Sequence, residues 1–365
     1  MALRDFFKLR KDETDTVALS DFDEEVKQLA EAFDKADAPP PSMPPLEVDI
    51  TMTPIGLLPV EILLLSHAGD FTIEQRTFPK FWREQYGVLH VGLSLLDLAE
   101  RGFLTAASIE ATLENQTVAN LKQGLKALKL PVGGKKNDLV ARLLQQADAE
   151  KLTKLFPNRA FSLTSSGIHA VHEAMYVPYL AKRPIYGLHI WNVHRMVMHT
   201  PDTPYRELLL TYMEEQVEVL RKAEDFQNLR DLCHRIYNFH MEENKLKKAL
   251  PHLAHTIYID LSGAHAVADS LERFVAEKYF FPYETSIVKM SVGTRAAIQR
   301  SKESLNLSEE ILNALLIQFF KQVPLPFHLF TMEECAAVII LELRGDKERL
   351  TKAYELAQMR FQSIQ

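Results

Sequence analysis

The stretch TVANLKQGLKALKLPVGGKKNDLVARLLQQAD, residues 117–148, carries the most specific structural signal in this chain. A Leu-Pro-x-Gly-Gly turn divides it into two halves. On both sides of the turn apolar residues recur at the spacing of an amphipathic helix: Val118, Leu121, Leu125 and Leu128 before it, and Leu139, Leu143 and Leu144 after it. The pattern predicts a module of two short helices.

The rest of this module's surface is basic. The cationic residues are Lys122, Lys126, Lys129, Lys135, Lys136 and Arg142. From Gln116 to Arg159 nine Lys or Arg stand against three Asp or Glu, a net +6, whereas the whole chain is −7. A basic island on an acidic protein indicates one localised polyanion site, with Lys135, Lys136 and the backbone N–H groups of the second helix start aimed at one anion. The alternative is an ordinary solvated helix face.

These residues resemble the SAP module, a helix-turn-helix-like unit whose members hold DNA, commonly A/T-rich duplex. The matching positions are Leu121, Lys122, Leu125, Leu130, Pro131, Gly134, Lys135, Leu139, Arg142 and Leu143. Lys129 departs from the pattern, because the family usually has glycine before Leu-Pro. If that position needs a positive φ, lysine adopts it at a cost of about 1 kcal/mol. The resemblance implies duplex DNA as partner, with the six basic residues and Gly134 at the contact.

The chain around this module predicts a winged-helix-like frame over residues 46–175. Helices are indicated at Leu57 to Leu65, Phe78 to Tyr86 and Val91 to Glu100. Residues 102–105 and 159–164 are typical of two antiparallel strands, and RGFL followed by FSLT resembles the wing of winged-helix proteins. The module, over residues 112–156, would then be inserted at the tip of the wing, where insertions are tolerated. The alternative is a plain helical scaffold whose two-stranded ribbon carries the module.

The third helix of such a frame normally enters the major groove. Here it offers Ser94, Asp97, Ala99 and Glu100, with no Arg, Asn or Gln for base edges. We therefore expect the frame to position the module or to pack against another subunit.

Residues 1–45 form a predicted acidic arm with a Pro-rich linker. Ten acidic residues lie between Asp12 and Asp37, and one apolar helical stripe runs from Phe22 to Phe33. The segment is either a surface helix tethered to the body or an arm that shields the basic island.

Residues 176–365 predict a large helical domain. Tyr179 to Met198 and Phe226 to Leu250 are each typical of a continuous helix. Residues 223–258 resemble one tetratricopeptide-like pair of helices. Thr331 and Ser308 are expected N-caps. The aromatic stretch Phe319 to Phe330 is either core or an exposed patch for self-association, and from the second possibility we predict a homodimer.

Composition and motifs predict a protein that is not an enzyme and needs no cofactor or metal. The start lacks the apolar core of a secretory signal, no apolar run spans a membrane, and a cytoplasmic location follows as the expectation. His189, His194 and His199 are five residues apart and walk around a helix, so structural roles are expected. Cys233 and Cys335 are too few for a disulfide framework.

Together these features predict a mainly α protein: a winged-helix-like N-terminal part with an inserted SAP-like module, followed by a large helical domain. The overall plan resembles SAP-domain-containing proteins of bacterial or phage type. The predicted function is non-enzymatic contact with the duplex DNA backbone, and the helical domain would bind a partner or a second copy. The alternatives are an interaction scaffold in which the SAP-like helices are structural, and an enzyme whose site the sequence does not expose.

Overall fold

The protein is mostly helical, as the sequence predicts. The computed structural model describes residues 51–264, 273–325 and 327–363, all within one compact unit that spans Asp49–Gln365. The predicted acidic arm lies outside these residues. In chain order the helices before and within the module are α1 (Pro59–Ser66), α2 (Phe81–Tyr86), α3 (Val91–Glu100), α4 (Ile109–Asn115), α5 (Val118–Ala127), α6 (Lys136–Gln146) and α7 (Ala149–Leu155).

The helices after the module fill the rest of the chain. They are α8 (Ser165–Glu173), α9 (Tyr176–Lys182), α10 (Ile190–His199), α11 (Tyr205–Lys222), α12 (Phe226–Glu242), α13 (Leu246–Ser262), α14 (Arg273–Phe280), α15 (Val292–Ser304), α16 (Glu309–Phe320), α17 (Met332–Arg344) and α18 (Lys347–Ser363). Thr331 caps α17 with Glu334 in a reciprocal pair, and Ser308 caps α16, so both predicted N-caps are confirmed.

A small antiparallel ribbon carries the module. Strand β1 (Leu104–Ala106) pairs with strand β2 (Phe161–Leu163), and Leu104 lies opposite Leu163. This pairing confirms the two strands predicted on either side of the module. The other edge of β2 bonds to residues 71–73, through the Phe161 N–H to the Phe71 carbonyl at 3.0 Å and the Ile73 N–H to the Arg159 carbonyl at 2.9 Å.

The chain leaves and re-enters the ribbon through a hydrogen-bonded neck. The Ala107 N–H donates to the Ala160 carbonyl at 2.9 Å. Arg159 Nε donates to the Ala107 carbonyl at 2.7 Å, and its Nη2 donates to the carbonyls of Ala106 and Ala107. One guanidinium therefore bonds the two ends of this excursion to each other.

Two long helices predicted in the C-terminal half are wrong, because each is divided into two helices in the structure. The segment from Tyr179 to Met198 forms α9 and α10, with a break that contains Pro184 and Gly187. Proline has no N–H to continue the first helix, and Gly187 has φ of +71°. The segment from Phe226 to Leu250 is interrupted at Asn244, whose φ is +55°, so α12 ends at Glu242 and α13 begins at Leu246.

Two separate apolar cores hold the described residues. The larger core runs through the frame and the C-terminal helices, and the smaller one lies within the module. Phe320, Leu329 and Phe330 are no more than 5% exposed in the larger core. The aromatic stretch is thus core, and it does not provide the exposed patch from which the homodimer was predicted.

Candidate nucleic-acid interface

The module has a core of its own, formed by α4 to α7. Its buried side chains are Leu113, Leu121, Leu125, Leu139, Val140, Leu143, Leu152 and Phe156. Thr117 caps α5 by accepting the Asn120 N–H at 3.2 Å, and Asp148 caps α7 by accepting the Lys151 N–H at 2.8 Å. The apolar stripes predicted from the sequence face each other across this core, except for Val118, which is 41% exposed.

Helix α7 and Phe156 extend the module beyond the two helices that the sequence pattern predicts. The Phe156 ring packs so closely on α5 that a Cβ on Gly124 would lie 2.4 Å from it. Any larger residue at position 124 would displace this ring. The four-residue spacing of Leu152 and Phe156 after the Asp148 cap was the sequence signal for this extension.

Because the module has its own core and a bonded neck, it should be removable. We expect that replacing residues 109–157 with a short Gly/Ser linker leaves the remaining helices folded and changes their free energy of unfolding by less than about 1 kcal/mol. The linker keeps Ala107 and Arg159. Circular dichroism and urea unfolding measure the result, and loss of cooperative unfolding of the remainder would show that the module is part of the main core.

The turn between α5 and α6 has the backbone form that ends many helices. The Leu130 N–H donates to the Leu125 carbonyl at 2.8 Å, and the Lys129 N–H donates to the Lys126 carbonyl at 3.0 Å. Lys129 itself has a positive φ of +58°. The positive φ explains why glycine is usual at this place in the SAP pattern, and lysine here is strained.

Substitution of Lys129 tests this strain. We expect Lys129→Gly to stabilise the module by about 0.5–1 kcal/mol, since glycine adopts positive φ without a Cβ penalty. The matched change Lys126→Gly, inside α5, should destabilise it by about 1 kcal/mol. Hydrogen exchange of the module amides in the full chain measures both, and effects of equal sign would contradict the role of φ.

The start of α6 is less open to an anion than the sequence analysis expects. The Lys135 N–H donates to Asp138 Oδ2 at 2.8 Å, so the module's own carboxylate already occupies that donor. Gly134, with φ of +120°, lets the chain approach Asp138 closely, because a Cβ there would lie 3.0 Å from the Asp138 side chain. The positive side chains at this end are Lys135, exposed, and Lys136, half-buried.

Arg142 is placed under the turn. Its Nη1 donates to the Pro131 carbonyl at 2.5 Å and to the Gly133 carbonyl at 2.9 Å. The side chain is half-buried. These bonds make Arg142 a residue that holds the Pro-x-Gly-Gly turn in shape and positions the lysines beside it.

The basic residues of the island divide into paired and unpaired sets. Lys151 and Lys154 on α7 form ion pairs with Asp148 at 2.9 Å and Glu150 at 2.7 Å, and Arg159 is used in the neck. Of the other six, Arg142 donates to the carbonyls of the turn, and five lysines have no ion pair within the described ranges: Lys122, Lys126, Lys129, Lys135 and Lys136. Lysines without an internal carboxylate partner are the ones free to neutralise phosphates. Ion pairing therefore leaves these five lysines as the candidates for phosphate contact.

The described residues elsewhere show structural uses for the groups that suggested chemistry. His194 is buried, and its Nδ1 and Nε2 lie 2.7 Å from the Tyr176 hydroxyl and 2.8 Å from the Thr51 carbonyl. Burial raises the pKa of the Cys233 thiol to about 12 and also raises the pKa of the Cys335 thiol. In the part of the chain that is described, no three His, Cys, Asp or Glu side chains gather as a metal site requires.

Comparison with known families agrees with the module's geometry. The family model of the SAP domain matches residues 112–147, which cover α5, α6 and most of α4. No curated protein matches the chain. Among the described helices, none has the length and apolarity needed to cross a bilayer. The chain thus contains a SAP domain, a module that generally binds DNA, within a larger helical protein.

Proposed function

We propose that this protein binds duplex DNA without catalysing a reaction, through the unpaired lysines of its SAP module. The observation that carries the proposal is that five of the module's lysines are left without carboxylate partners while two neighbouring lysines are paired. Lys122 and Lys126 lie one turn apart on α5, and Lys129, Lys135 and Lys136 flank the turn to α6. Together they suit contacts with a phosphate backbone.

The rest of the protein would act as the mount. The sheet order is segment 71–73, then β2, then β1. Along the chain, α1 comes before segment 71–73, and α2 and α3 lie between that segment and β1. Both orders are those of a winged-helix-like frame. We infer that this frame presents the module from its wing through the Arg159 neck. The C-terminal helices would bind a protein partner.

The test compares two lysine pairs that differ in their ion pairing. We expect Lys135→Gln/Lys136→Gln to weaken duplex DNA binding and to reduce the magnitude of the slope of log K against log salt by about 1–2, at roughly 0.9 per phosphate contact. The control Lys151→Gln/Lys154→Gln removes the same charge from lysines that already have partners, and should change the slope by less than about 0.5. Fluorescence anisotropy over a salt series measures both.

Equal effects of the two pairs would show that net charge matters and the mapped surface does not. Absence of duplex binding by the unaltered protein would favour the alternative, a scaffold in which the SAP helices serve only in packing.

A further inference from the structure

The winged-helix-like frame has an open cleft beside α3. It lies between segment 71–73, α2 and α3 and has a volume of about 460 Å³. Its walls include Phe78, Val91, Leu95 and Phe161. The cleft is separate from the module, because none of its lining residues belongs to α4–α7.

Three leucines line this cleft and remain in solvent. Leu89, Leu93 and Leu96 are 71%, 65% and 44% exposed. Leu93 and Leu96 lie three residues apart on one face of α3, Leu89 lies two residues before the helix begins, and all three line the same cleft as one leucine stripe. Single exposed leucines are common, but a cluster of three at the mouth of a cleft is typical of a surface that another molecule covers.

The charged residues that line the cleft are all of one sign. Arg76, Lys80 and Arg83 line it, together with His90, and no carboxylate does. These three cations form no ion pair with any residue in the described ranges. Helix α3 carries two exposed carboxylates, Asp97, which is paired with Arg101 at 3.1 Å, and Glu100, and both lie outside the lining.

We propose that this cleft docks an acidic amphipathic helix of a partner protein. Its apolar side chains would cover Leu89, Leu93 and Leu96, and its carboxylates would pair with Arg76, Lys80 and Arg83, as in helix-in-groove recognition. A nucleic acid would match the cations but offer no apolar surface for the leucine stripe. The combination of an apolar stripe with a cationic rim therefore favours a peptide. The proposal does not depend on DNA binding by the module.

A designed peptide provides the probe. It is a fluorescein-labelled 16-residue helix with leucine at positions i, i+4 and i+7 and glutamate at the solvent positions, compared with a scrambled peptide of the same composition. We expect saturable binding of the first peptide to the full chain, at least about tenfold tighter than that of the scrambled one. Fluorescence anisotropy measures both.

Variants at exposed positions identify the surface without disturbing the core. Leu93→Ser/Leu96→Ser should weaken peptide binding about tenfold or more, and Lys80→Glu/Arg83→Glu about three- to tenfold. The controls Leu356→Ser, at an exposed leucine on α18, and Lys321→Glu, at an exposed lysine after α16, should leave binding unchanged.

Four results of the peptide-binding experiments would overturn the proposal. They are equal binding of the scrambled peptide, absence of saturable binding, retention of binding by both cleft variants, and competition by duplex DNA that the Lys80→Glu/Arg83→Glu change abolishes. The last would identify the cleft as a nucleic-acid surface. Light scattering provides a further check. If the unaltered chain is a dimer that Leu93→Ser/Leu96→Ser dissociates, the cleft binds a second copy of the chain, and the proposal of a partner helix is wrong.

Discussion

Replacing Arg295 with methionine is expected to lower the free energy of unfolding by about 3–5 kcal/mol. The reason is the carboxylate of Glu342 on α17, whose side chain is only 1% exposed and lies 2.9 Å from Arg295 Nη2. The Tyr283 hydroxyl donates to its other oxygen at 3.1 Å and would be the hydrogen bond left. Removal of the cation thus leaves a buried charge without a counter-ion. Since Arg295 is 42% exposed, water can reach its place, and the loss should fall near the lower end.

A double variant separates the charge effect from lost packing. Arg295→Met/Glu342→Leu removes both charges, and its stability should return to within about 1–2 kcal/mol of the unaltered protein. Urea unfolding at neutral pH, followed by circular dichroism, measures the set. If the double variant is as unstable as Arg295→Met, then packing of the arginine stem and not the ion pair is what stabilises this region.

Acidification from pH 7 to pH 5 is expected to lower the free energy of unfolding by about 4 kcal/mol, through two buried histidines. Burial, as the largest cause, lowers the pKa of His252 to about 3 and that of His255 to about 4. The His240 ring lies near His252, with 5.7 Å between the tilted ring centroids, and burial lowers the pKa of His240 as well. The folded state therefore holds these rings neutral.

The sign follows from the difference between the two states. In the unfolded chain a histidine takes up its proton below about pH 6.5, whereas the folded protein resists protonation down to about pH 4. Stability is fully present above pH 6.5 and falls as the pH drops from there toward the folded values. Each ring contributes about 2 kcal/mol of loss at pH 5.

Histidine variants test this assignment. His252→Gln/His255→Gln should flatten the dependence between pH 6.5 and pH 5, because glutamine does not titrate, whereas the control His169→Gln/His172→Gln at exposed positions should leave it unchanged. Urea unfolding midpoints at half-unit pH steps provide the measurement. An unchanged slope in the first variant would assign the acid sensitivity to carboxylates instead.

Short-range features of the chain were predictable because they depend on neighbouring residues. The bounds of α3 agree with the apolar run Val91 to Glu100, and the two strands around the module pair as their patterns predict. The N-caps at Ser308 and Thr331 bond within three residues of themselves. The two long helices that were wrongly predicted have a similarly local cause: Pro184, Gly187 and Asn244 interrupt runs whose apolar periodicity continues across the break.

The sequence by itself determined that a basic two-helix SAP module lies in a helical protein, since helix periodicity and turn residues act over only a few positions. Only the tertiary structure decided which charges remain available. The Asp148–Lys151 and Glu150–Lys154 pairs, the Arg142 bonds to the turn and the Arg159 neck leave five lysines unpaired. The same holds for the apolar run of α3, in which the fold leaves Leu93 and Leu96 exposed beside Arg76, Lys80 and Arg83. The physical reason is that exposure and ion pairing depend on which distant segments pack together, and composition does not specify that packing.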